Sequence, residues 1–128
     1  MAVTITKQQD ILQFNANCIG KIYNIVGDTS YQGGYTIDED VYPDSENPFS
    51  KILAIIQIDE TITENGYIPS YTKDNTSETN PSILMEVRDF PTGGGTPTEV
   101  NNGTDLSAET FKVLIVGIPL DGVICDPC

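Results

Sequence analysis

No stretch of this chain repeats its apolar residues with a sustained helical period. The apolar residues come instead in short runs, rich in β-branched side chains and bounded by glycine or proline. "KILAIIQID", Lys51 to Asp59, and "FKVLIVGIP", Phe111 to Pro119, are the clearest, and at this length and composition both predict buried strands. "GKIYNIV", Gly20 to Val26, and "PSILMEV", Pro81 to Val87, are shorter strands of the same type. In "GYIPSYT", Gly66 to Thr72, Pro69 lacks the N–H that a central strand must donate, so this strand belongs at a sheet edge or a bulge. The best helical candidate is "TKQQDILQF", Thr6 to Phe14, which is equally compatible with an extended arm.

Turn chemistry separates the runs. Asn65-Gly66 in "ENGY" tolerates positive φ and predicts a hairpin whose flanking strands pair antiparallel. "YQGGY" and "VNNGTD" punctuate the chain in the same way, and "TDLSAE" has residues able to cap a single turn at Thr104, Asp105 or Ser107. "YPDSENPFS", Tyr42 to Ser50, and "DFPTGGGTPTE", Asp89 to Glu99, hold too little apolar material to pack and predict long exposed loops. Short strands separated by turns predict an all-β chain, a compact antiparallel β-sandwich or partly open barrel with long polar loops and an N-terminal arm. Its organisation reads as residues 1–19, an arm or edge segment; 20–118, one β domain; and 119–128, a C-terminal tail. The 128 residues suffice for a core without metals or disulfides.

Charge narrows the partners. With 19 acidic against 6 basic residues, the net charge of -13 repels both nucleic acid and anionic membrane surfaces, and steers the chain toward a basic patch on a partner. Three cysteines, Cys18, Cys125 and Cys128, do not make a disulfide framework, and "MAVTITKQQD" has no signal-peptide pattern, so a cytosolic origin is expected.

The residue types needed for catalysis are sparse. Histidine is absent, which removes Ser-His and Cys-His nucleophile systems. "IDEDVYPDSE" clusters Asp38, Glu39, Asp40, Asp44 and Glu46, but consecutive carboxylates alternate faces and no tryptophan accompanies them, so a solvated acidic loop is expected over a glycosidase pair. Neither this cluster nor "DETITENGY", Asp59 to Tyr67, has the spacing of an EF-hand loop. "CDPC", Cys125 to Cys128, lacks the two further ligands of a metal site and the following helix of a redox motif. It reads as a tail with exposed thiols, or as one ordered by a neighbouring subunit. "PTGGGTPT" lacks the Gly-Lys-Ser/Thr of a phosphate loop and reads as a hairpin tip. "NTS" at Asn75 and "NGT" at Asn102 match the glycosylation triplet by coincidence if the chain is cytosolic. No catalytic residue, metal site or cofactor is expected.

Three stretches carry a resemblance. "EVNNGTDLSAETFKVLIVGI", Glu99 to Ile118, resembles the C-terminal end of a family of small virion structural proteins of tailed phages, with a Glu-Val, an Asn-Gly-Thr-Asp-Leu-Ser turn and a terminal V-x-V-L-x-x-G strand. "DTSYQGGYTID", Asp28 to Asp38, resembles that family's Ser-Tyr-x-x-Gly-Gly segment, and "GYIPSYTKDN…ILMEV", Gly66 to Val87, resembles its Gly-Tyr-x-x-x-Tyr strand and the next one. The match runs from Gly20 to Ile118 and is built from turn and strand residues. Two departures stand out: "EDVYPDSENPFS" replaces the family's acidic-Leu-Gly-Leu turn, and "PLDGVICDPC" extends past the expected end.

The resemblance implies a non-enzymatic capsid decoration or cement protein on the outside of the head, made in the host cytoplasm, with the major capsid protein as partner. It also implies self-association as a dimer or trimer on a symmetry axis. Tail or neck components are alternatives within the virion, and a carbohydrate-binding or adhesive sandwich using Tyr31, Tyr35, Tyr42, Tyr67 or Tyr71 is the alternative outside it. The termini are the expected partner interface, through Ile5, Ile11, Leu12, Phe14, Pro119, Leu120 and Ile124, unless they are ordinary edge strands of the same core.

Overall fold

A computed structural model describes residues 3–15, 18–43, 46–58, 66–89 and 95–119, with only the backbone of 7–15. The described residues form eight strands: β1 (Thr4–Asn15), β2 (Cys18–Val26), β3 (Tyr35–Ile37), β4 (Phe49–Gln57), β5 (Tyr67–Asp74), β6 (Ser82–Asp89), β7 (Thr98–Glu99) and β8 (Thr110–Pro119). They make two sheets, one in the order β1-β2-β8-β4 and one in the order β3-β6-β5 with β7 also on β6. Every pairing is antiparallel. The fold is a sandwich, because no strand is shared to close the sheets into a barrel.

Alternation explains the core. Along β8 each odd position from Phe111 to Pro119 is buried and the residues between are half-exposed, since side chains of a strand alternate across the sheet. Phe111, Val113 and Ile115 face inward beside Ile25 and Tyr23 of β2. From the second sheet Ile37, Ile83, Met85 and Val87 close the same core. Tyr42 stacks at a tilt on Tyr23, and Phe49 lies edge-on to Tyr42. Pro69 sits where its missing N–H requires, on β5 at the edge of the second sheet.

Three expectations are resolved, one of them as a correction. Thr6 to Phe14 is not a helix; it lies within β1, an edge strand paired along β2 with three register shifts, which is the edge-segment alternative for the N-terminal residues. The strands flanking Asn65-Gly66 do not form a hairpin, because β4 pairs β8 in one sheet and β5 pairs β6 in the other. Gly66 takes a φ of 90; residues 59–65, Asn65 among them, lie outside the described residues. "TDLSAE" forms the single turn expected of it, with Asp105 as the capping residue. Asp105 Oδ1 accepts from the Ser107 N–H at 2.9 Å, and Glu109 N–H donates to Leu106 O at 3.0 Å.

Candidate functional site

The two segments that carry most of the resemblance meet at one end of the sandwich. The Tyr31 N–H donates to Thr104 O at 2.8 Å, Gly103 N–H donates to Tyr31 O at 2.7 Å, and Leu106 N–H donates to Asp28 O at 2.8 Å. Gly103 takes a φ of +89, which a glycine adopts without strain. Gly27 lies so close to Leu106 that a Cβ there would fall 2.6 Å from the leucine Cβ. Leu106 is itself fully buried. The Ser-Tyr-x-x-Gly-Gly and Asn-Gly-Thr-Asp-Leu-Ser stretches are therefore the two halves of one backbone clasp.

Tyrosines complete the clasp. β3 and β7 lie on the same side of β6, leaving a gap between them at Val87. The Tyr31 hydroxyl fills it, accepting from the Val87 N–H at 3.2 Å and donating to Glu99 Oε2, while Val100 N–H donates to Val87 O. Tyr35 stands edge-on to Tyr31 with ring centroids 5.4 Å apart and donates to Asp28 Oδ1 at 3.0 Å. Burial pushes the Tyr35 phenol up to about 12, and the hydrogen bond to the Asp28 carboxylate and its charge add to that shift against the opposing Asp28 N–H. Burial likewise raises Tyr23, Tyr31, Tyr42 and Tyr71. Asp28 Oδ2 and the Tyr42 hydroxyl are buried without a hydrogen-bond partner among the described residues.

The acidic positions after β3 are solvated, but Tyr42 to Ser50 is not the exposed loop expected: Tyr42, Asn47 and Phe49 are buried, and Phe49 opens β4. Asp38 caps the turn after β3: its carbonyl accepts from Val41 and Tyr42, and its Oδ1 from Asp40 N–H. Glu39, Asp40 and Glu46 are exposed; Asp44 lies outside the described residues. Asn47, almost fully buried, ties the segment's end to the β5–β6 connection through Asn80 Oδ1 at 2.9 Å and Pro81 O at 2.7 Å. Among the described residues no three Cys, Asp or Glu side chains converge as metal ligands would. Tyr31, Tyr35 and Tyr42 are buried and present no ring face to a ligand; Tyr67 and Tyr71 are half-buried against the core. Asn75 of the "NTS" triplet is spent on structure, with its side chain bonded to both N–H and C=O of Ile52.

The expected interface residues scatter. Ile5 is 8% exposed and belongs to the chain's own core, and Pro119 is buried opposite Phe49 at the end of β8. Ile11, Leu12 and Phe14 lie on β1, at the open edge of the first sheet, where only the backbone is described. Leu120, Ile124, Cys125 and Cys128 lie outside the described residues, while Cys18 is a half-buried free thiol.

A surface that the sequence reading did not single out is the outer face of the first sheet. Cross-strand register places Ile22, Leu114 and Ile56 in one outward row, and Val116 with Ala54 in the next. Ile118 follows, opposite Lys51, and Ile56 is 46% exposed. The signal was present: "LAII" in β4 and "VLIVGI" in β8 are apolar at both parities, which predicts two apolar faces rather than one. No family model, curated protein or solved structure matches the chain.

Proposed function

We propose that the chain is a non-enzymatic structural protein of a tailed-phage virion, a capsid decoration or cement protein that binds the outside of the head and bridges capsomers of the major capsid protein. The observation that carries this proposal is the clasp. Stretches that resemble a virion family are distant in sequence, yet they meet through reciprocal backbone hydrogen bonds between Tyr31 and the 103–104 turn. Residues used in this way specify a rigid scaffold, and a scaffold that presents surfaces is what a bridging protein needs. Rigidity also favours lattice binding, since a preordered surface loses little conformational freedom on docking.

Charge supports the same placement. A chain carrying -13 keeps a particle's exterior negative, which limits sticking between virions and to released nucleic acid. Steered docking then calls for a basic patch on the capsid. Each copy that buries a standard interface of about 1,600 Å² adds enough free energy to matter when many copies act together.

Copy number decides the matter. Gel densitometry of purified particles should show this polypeptide at hundreds of copies, on the scale of the major capsid protein. A few copies per particle would place it in the tail or neck instead, and particles that assemble and infect with none of it would overturn the virion assignment.

A further inference from the structure

We propose that the outer face of the first sheet, built from Ile22, Ile56, Leu114, Val116 and Ile118, is the surface on which a second copy of this chain docks. The inference deepens the self-association that the family resemblance implies, and it rests on the proposed function in that respect alone. Its own grounds are composition and charge.

In a two-sheet sandwich the outward positions are normally polar. The second sheet follows that rule more closely: Asp74, Ser82, Thr72, Ser70, Glu86 and Arg88 stand at its outward register positions, with Leu84 and Ile68 the apolar ones among them. The first does not. Its paired outward positions on β2, β8 and β4 are Gly20, Ile22, Asn24 and Val26; Thr110, Lys112, Leu114, Val116 and Ile118; and Lys51, Ala54 and Ile56. None is acidic, in a chain with 19 acidic residues and a net charge of -13. Lys51 and Lys112 are two of its 6 basic residues, and they stand at opposite ends of this one face.

That segregation identifies the occupant. A basic partner is attracted by carboxylates, so an interface for it would keep them. A partner that is itself strongly acidic is repelled, and the face that receives it must be cleared of carboxylates. A second copy of this chain is such a partner, and Lys51 and Lys112 put positive charge where it approaches.

Size is compatible. Strands about 4.8 Å apart and about 3.3 Å per residue give the apolar part of three strands about 250 Å² in projection, so two such faces together bury about 500 Å², and the flanking Lys, Thr and Asn positions must join the contact to reach the roughly 1,000 Å² at which a specific interface begins. A patch of a few hundred Å² is about the largest that a typical monomer exposes, and it is often functional. The neighbouring edge is closed to strand addition near its middle. Asn75 occupies both backbone groups of Ile52 on β4, and Lys73 Nζ donates to Leu53 O at 2.9 Å. Face packing is therefore favoured over edge pairing along β4.

Sedimentation equilibrium of the full chain at micromolar concentrations tests this. The wild type should sediment as a dimer, and more completely as salt screens the residual repulsion. Ile56→Asp and Leu114→Asp should each yield a monomer with an unchanged circular dichroism spectrum, whereas Thr36→Asp, the same charge at an exposed position on β3, should leave the dimer intact. Should either aspartate variant misfold, Ile56→Ser removes the side chain without adding charge. It should raise the dissociation constant about tenfold or more, because two-fold symmetry loses the contact twice. A wild type that stays monomeric throughout overturns the proposal, whether the face is then covered by residues 120–128 or by a different protein, as does an oligomer indifferent to all three outward-face substitutions. A monomer found in hundreds of copies on particles would sink this inference and leave decoration standing; a dimer absent from particles would do the reverse.

Discussion

Asn75 is the residue whose sequence context misleads most and whose structural role is clearest. Its Oδ1 accepts from Ile52 N–H at 2.8 Å and its Nδ2 donates to Ile52 O at 2.9 Å, so one side chain imitates the strand that β4 lacks at its edge. Ile52 is fully buried, and removing the amide leaves its backbone groups poorly satisfied. Asn75→Ala should therefore cost about 2 kcal/mol, seen as a melting temperature lower by several degrees. Asn75→Asp keeps the acceptor but turns a second acceptor toward Ile52 O, so it should recover only part of that loss. An alanine variant as stable as the wild type would show that the edge is satisfied in another way. Gly27 is a second residue-scale constraint. A Cβ there would lie 2.5 Å from Leu106 O, so Gly27→Ala should force the clasp apart and lower stability by about 1–3 kcal/mol in thermal or denaturant unfolding.

Among the strands, β7 shows how a very short element survives. It spans only Thr98–Glu99 and pairs with Arg88 and Asp89 of β6. Two backbone pairings do not hold a strand against the entropy of its loop. The Tyr31 hydroxyl supplies the rest by linking Glu99 to the Val87 N–H. Tyr31→Phe keeps the ring and deletes the link, leaving the Val87 N–H without its acceptor in a buried setting. The expected loss is about 1–3 kcal/mol. Hydrogen exchange should separate this from a general weakening: the Val87 and Val100 amides should exchange faster while those of β2 and β8 move only with global stability. Uniform acceleration across both sheets would refute the assignment of Tyr31 to this junction.

For the molecule as a whole, pH reports the buried phenols. Tyr35 is raised from 10.0 to about 12 chiefly by burial, and Tyr23, Tyr31, Tyr42 and Tyr71 are raised as well. In the unfolded chain these groups lose their protons near the ordinary value, while the fold holds them neutral. Stability from them is fully present below about pH 10 and is lost as pH rises toward and past 12. Denaturant midpoints should be flat up to about pH 10 and then fall steeply, and most of the tyrosinate absorbance should appear together with unfolding. Ionisation of most tyrosines near pH 10 with the spectrum of the fold intact would contradict their burial.

Strand identity was legible in the sequence because it is set locally. β-branched runs, bounding Gly and Pro, and the missing N–H of Pro69 specify strands and one edge whatever surrounds them, and β2, β4, β5, β6 and β8 lie where those signals put them. The absence of histidine was likewise a property of the chain alone. Sheet membership was decided only in three dimensions. Asn65-Gly66 permits a tight turn, but whether its neighbours pair depends on which partners bury their apolar faces, and β8, far along the chain, claims β4. The same holds for β1, whose weak local pattern becomes a strand because β2 offers it an edge, and for the outward apolar face, which exists only once register has sorted each side chain to the core or to the surface.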